Sequence, residues 1–146
     1  MAITPVNNWK NILDKLSNVI RTEFGNTLPV YVGHQTKNVG SQYLRLDPVS
    51  SDLIEYVVKS EKREFTLNML YYSSVKDIEK TALDNVLRIV SRIEALIHDN
   101  INITLADSSV AYNCRIESTE LNALEEEAEE YVVQFEWKCI HRGNLG

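Results

Sequence analysis

Leu53-Ile54-Glu55-Tyr56-Val57-Val58-Lys59 and Glu64-Phe65-Thr66-Leu67-Asn68-Met69-Leu70-Tyr71-Tyr72 decide the fold. Both runs alternate apolar and polar residues with the period of a strand that buries one side. Folding back around Glu61 and Lys62 would set Val58 against Phe65, Tyr56 against Leu67 and Ile54 against Met69. Those side chains would share one face, and Lys59 would meet Glu64 on the other. A slip of one residue would send every apolar side chain to the wrong face, so the pairing predicts a fixed register. The reading is a long β-hairpin, a platform for assembly more than a container for chemistry.

Working outward, Trp9, Ile12, Leu13, Leu16, Val19, Ile20 and Phe24 recur at helical spacing and predict an amphipathic helix over 9–24. Asn7 or Asn8 can cap its start, and Gly25-Asn26 offers a left-handed stop. Leu28 to Val32 reads as a short strand and Gly33 to Ser41 as a polar loop. Gln42 to Leu46 is a second strand, which the segment Asp47 to Asp52 breaks or bends, since Pro48 cannot donate to a central ladder. Ser74 and Asp77 approximate a capping box ahead of a long helix over 75–98. A brief strand is expected at Ile101 to Leu105 and another at Ala111 to Thr119. Asn122 to Glu130 reads as an acidic loop or a single helical turn. Tyr131, Val133, Phe135, Trp137 and Cys139 alternate with their neighbours in the clearest strand of the chain. This order predicts an α+β fold: a two-layer sandwich, a mostly antiparallel sheet with two α-helices packed on one face. Leu53, Val57, Leu70, Tyr72 and Ile140 would point to the uncovered face and invite a partner.

The chain has 146 residues, enough for one domain over 1–146 with an ordinary core. Its net charge is −6. Eight acids and no Lys or Arg fall between Glu117 and Glu136, so the remainder is near neutral. No clustered basic stripe suggests a nucleic-acid binder. The acidic run Glu125, Glu126, Glu127, Glu129 and Glu130 reads as a solvated loop or as a surface lining a ring. No signal-peptide core or apolar stretch of membrane-spanning length is visible, which leads to the expectation of a cytoplasmic site of synthesis and no membrane.

Chemistry is sparse. His34, His98 and His141 stand apart in sequence and read as surface or interface residues, with no metal-ligand spacing. Cys114 and Cys139 form no motif, so two buried free thiols or a single disulfide are open. Asp47 and Asp52 bracket the Pro48 turn and suit turn capping better than acid–base work. No glycine-rich phosphate loop, cofactor or metal site is expected. Tyr71 and Trp137 read as core, and Tyr72 faces the other way.

Several of these patterns resemble the tail terminator, or neck, proteins of tailed bacteriophages. The residues that carry the resemblance are the helix Trp9 to Phe24 and the strand Pro29-Val30-Tyr31-Val32 with its polar loop. With them go Tyr43-Leu44-Arg45-Leu46 leading into the hairpin through Phe65-Thr66-Leu67-Asn68-Met69, the long helix after Ser74, and two closing strands ending near Arg142. The resemblance implies a non-enzymatic virion protein assembled in the host cytoplasm, a homohexameric ring that caps the tail tube and joins it to the head connector. Its partners would be further copies of itself, the tail tube protein, connector or neck proteins, and the sheath where a tail has one. DNA would pass through without specific binding. Leu53, Val57, Leu70 and Tyr72 are the candidate interface residues, and the acidic run is the candidate lumen surface. The competing readings are another neck or head–tail adaptor, a cellular protein-binding module using a free sheet edge, and a small enzyme built on Asp47, Asp52 and His34.

Overall fold

A computed structural model describes residues 6–33, 41–74, 82–125 and 130–144. The fold is α+β, with two α-helices and a mixed six-stranded sheet in the order β1-β2-β3-β6-β5-β4. The strands are β1 (Val30–Val32), β2 (Gln42–Val57), β3 (Ser60–Ser73), β4 (Ile103–Thr104), β5 (Val110–Glu125) and β6 (Glu130–Asn144). Only β1 and β2 run parallel; every other pairing is antiparallel.

Helix α1 (Asn8–Phe24) begins where Asn7 accepts a hydrogen bond from the Lys10 amide at 3.0 Å. It ends at Gly25, whose φ of 58° needs no Cβ. Its inward stripe is Ile12, Leu13, Leu16, Ile20 and Phe24. Helix α2 (Ala82–Asp99) turns Val86, Val90, Ile93 and Ile97 inward, while Leu83 and Leu87 are exposed. The expected first turns of this helix, with Asp77 of the capping box, lie outside the described residues. Arg92 ties the helices together: it reaches Glu23 at 3.2 Å and lies over the Phe24 ring.

Both stripes feed one core with Leu44, Leu46, Phe65, Leu67, Met69, Tyr71, Val133, Phe135, Trp137 and Cys139 from alternate positions of the sheet. Trp9 stands edge-on to Phe65, with ring centroids 4.8 Å apart, at the far end of α1. Burying this much apolar surface is the main drive to fold.

The register differs from the expected one. β2 and β3 turn at Val58-Lys59, with Lys59 at φ 63°, not at Glu61-Lys62. Phe65 therefore faces Ser51, Leu67 faces Pro48, and Met69 faces Leu46. Ile54, Tyr56 and Val58, expected in the core, are exposed at 49%, 66% and 86%. Matching apolar faces predicts a register only where both faces of the pair have a core to enter, and this end of the pair has none. Of the two outcomes expected at Pro48, a break or a bend, the strand shows an irregularity and not a break: β2 runs on to Val57. β1 covers β2 only from Leu44 to Leu46, so on the side away from β3 Pro48 stands at an edge with no described strand beside it. A bulge between Pro48 and Ser50 and a second between Leu53 and Glu55 absorb the irregularity. At the other end of the sheet β5 continues to Glu125, where a loop or helical turn was expected, and Glu125 pairs with Glu130.

Candidate functional site

Directly paired residues of neighbouring strands share a side of the sheet. Phe65, Leu67, Met69 and Tyr71 mark the helix side. The opposite side therefore carries rows set by register. Tyr43, Tyr72 and Val132 form one; Arg45, Leu70 and Gln134 the next; Asp47, Asn68 and Glu136 a third. No described element covers this side.

Its two ends differ in chemistry. At one end Tyr43 stacks on Tyr72 with centroids 5.1 Å apart, and Tyr31 meets Tyr43 edge-on at 6.0 Å. Toward the middle, ion pairs take over. Glu64 holds Arg115 at 3.1 Å and Lys138 at 3.6 Å, and Lys138 also reaches Glu136. Arg45 pairs with Asp47 at 2.9 Å. Each such pair is half-exposed and worth little alone, but a network fixes side chains in place.

Beyond the helices, β2 ends in a segment whose residues from Asp52 to the turn at Lys59 are all exposed. Leu53, Ile54, Tyr56, Val57 and Val58 form a run of exposed apolar side chains there. Arg142 of β6 pairs with Glu55 at 3.1 Å and braces the segment from one side. Isolated exposed apolar residues are ordinary; five within six positions of one tip are not.

The four candidate interface residues do not form one patch. Leu70 and Tyr72 lie together on the uncovered side, half-buried. Val57 pairs with Ser60, about 35–40 Å farther along the strand by the rise per residue. Leu53 faces Arg63, which puts it on the helix side, past the helices' reach. The bulge at Ile54 reverses the parity on which its assignment to the other side rested. Of the acidic run, Glu125 and Glu130 pair across β5 and β6, while Glu126, Glu127 and Glu129 lie outside the described residues.

The residues of the enzyme reading are not brought together. Asp47 and Asp52 sit opposite Asn68 and Glu64, about 13 Å apart along β3 by strand rise. His34 lies outside the described residues. Among the described residues no group of three or more His, Cys, Asp and Glu side chains could hold a metal ion, and no helix is long and apolar enough to cross a membrane.

Two clusters escaped the sequence reading. His141 is buried, not at the surface, and its Nε2 lies 2.8 Å from the Ser109 hydroxyl. That hydroxyl donates to Asp107 Oδ1, so the imidazole N–H donates to the serine oxygen. Burial pulls the His141 pKa below the ordinary value, against the opposing pull of the Asp107 charge. The Ser109 hydroxyl in turn holds the Asp107 carboxyl below its usual range. The trio fastens the turn between β4 and β5 to β6. Asp107 and Ser109, two residues apart, are a local turn signal; their histidine, 32 positions on, is not. The second cluster is Cys114 with Cys139, both buried on neighbouring strands.

No protein-family model matches the chain, and no curated protein matches it. It is similar to solved structures, among them one that superposes over 94% of this chain and 94% of its own length with a TM-score of 0.59, at 12% identity. At that identity the likeness is one of fold.

Proposed function

We propose that this chain is a structural phage protein of the tail terminator kind, one copy of a ring that caps the tail tube and joins it to the head connector. In this reading helices and sheet form a two-layer sandwich, and β2 with β3 is a long hairpin that reaches a neighbouring subunit. The observation that carries it is the exposed apolar tip at Leu53, Ile54, Tyr56, Val57 and Val58. A lone protein gains nothing from holding such a segment in water, whereas a subunit contact buries it. A ring needs two different surfaces that meet head to tail and close. The tip is one, and the uncovered side with Leu70 and Tyr72, far along the same strands, supplies a second. The tail tube, connector and sheath are the partners of this reading, and the acidic run faces a lumen through which DNA passes unbound.

Light scattering after size exclusion, with electron micrographs of the purified protein, tests it. Rings of uniform diameter, formed by the protein alone or on adding tail-tube protein, are the expected result. A strict monomer under both conditions overturns it.

A further inference from the structure

Cys114 and Cys139 are 25 positions apart in sequence, yet the sheet sets them side by side. Tyr112 pairs with Ile140 and Arg115 with Lys138, which leaves Asn113 and Cys114 together opposite Cys139. Two residues against one is a bulge. Asn113 takes φ 53°, a region open to asparagine, and stays exposed, while Cys114 is buried. The bulge thus turns the Cys114 side chain into the core on the strand beside Cys139, where its thiol donates to the Ala111 carbonyl at 3.6 Å. Facing residues of antiparallel strands have Cα atoms about 4.5–5.5 Å apart, within the span a disulfide bridges.

The thiols differ in access. Cys114 lines a cavity of about 260 Å³ between the end of α2 at Ile97 and His98 and the strand residues Asn113 to Ile116. Cys139 lies behind it with no exposed surface. The neighbouring Cys114 thiol and burial push the Cys139 pKa up, so it stays protonated until a partner sulfur is at hand.

We infer that Cys114 and Cys139 are a two-thiol modification site that reacts with low-molecular-weight disulfides of the glutathione type. The Cys114 thiolate attacks one sulfur of the reagent through the cavity. The reagent's S–S bond breaks, one thiolate leaves and takes up a proton, and a mixed disulfide remains on Cys114. Cys139 then gives its proton to the departing second thiolate as its sulfur attacks Cys114 Sγ. The sum is one reagent disulfide reduced to two thiols and one protein disulfide formed, a transfer of two electrons. The bond would cross-link β5 to β6. This inference stands on the strand register and the cavity, independently of the proposed function.

Native full-length protein incubated with oxidised glutathione, then read by intact mass and non-reducing peptide mapping, tests it. Wild type is expected to lose two hydrogens, to join the Cys114 and Cys139 peptides, and to melt roughly 5–10 °C higher, by loop-closure entropy. Cys139→Ala should keep one glutathione on Cys114, and Cys114→Ala should stay unmodified while folded. Retention of both free thiols by the native wild type overturns the site, and so does a stable mixed disulfide. If either variant fails to fold, the wild-type peptide map alone decides.

Discussion

The two ends of β2 both carry apolar side chains and meet opposite fates. From Gln42 to Leu46, against Met69 to Ser73, alternate residues are wholly buried under the helices. From Leu53 to Val57 the aliphatic and aromatic residues of β2 stand in water, against the polar, half-buried Ser60 to Arg63 of β3. Strand pairing resumes after each bulge and runs to Val57–Ser60, so the ladder does not depend on what covers it. The difference teaches that alternation marks a strand but not its burial. Burial comes from α1 and α2, and the helices run out near the Trp9–Phe65 contact.

The sharpest way to break this comparison is to make the same truncation at both ends. Leu67→Ala removes a fully buried side chain facing Pro48 and Trp137. It should cost about 2–5 kcal/mol, a fall in melting temperature of roughly 10 °C for a chain of this size. Leu53→Ala, half exposed, should stay within about 0.5 kcal/mol. Urea unfolding of both proteins measures the contrast. Equal losses would mean that the distal end carries a core of its own.

What was legible in the sequence follows the same division between local and non-local causes. Helix α1 could be read because its stripe, its Asn7 cap and its Gly25 stop all lie within one segment. β6 could be read because Tyr131 to Cys139 alternate without interruption, and Phe65, Leu67, Met69, Tyr71 and Trp137 are core as expected. The turn at Val58-Lys59 could not, because bulges at Val49 and Ile54 shift the count of β2 against β3. Pro48 announces an irregularity but not its size, and nothing in Leu53-Ile54 announces the second shift. The meeting of Cys114 with Cys139, and of His141 with Ser109, depends on the β5–β6 register. That register is a property of two strands and is written in neither.

A second test probes how the sheet is fastened away from the tip. His141 is held neutral, with its pKa below the unfolded value of 6.5. The unfolded chain therefore binds the proton more readily as the solution acidifies. Stability from this group is complete above about pH 6.5 and is lost as pH falls through the folded-state value. Unfolding free energy should fall between about pH 7 and pH 5, and the slope should flatten in His141→Gln. Asp107, also depressed, acts with the same sign in a lower window, below its usual 3.8. An identical slope in wild type and variant would remove His141 from the account.

The smallest effect on stability should fall at the tip, where the effect on assembly should be largest. Val58 is 86% exposed in the turn and Val57 exposed beside it, so neither contributes much burial. Val57→Asp adds a charge next to the Glu55–Arg142 pair, in water that screens it. A change within about 0.5 kcal/mol is expected, with the monomer intact. If rings form from wild type, Val57→Asp should abolish them, because a contact that desolvates this segment would have to bury an unpaired carboxylate. Leu70→Asp, between Arg45 and Gln134 on the uncovered side, makes the control. Loss of assembly from both variants ties two distant surfaces to one head-to-tail contact. Loss from the tip variant alone leaves the tip as the contact and assigns its counterpart to another part of the neighbour. Melting of Val57→Asp at the temperature of Leu67→Ala would erase the distinction between covered and uncovered ends.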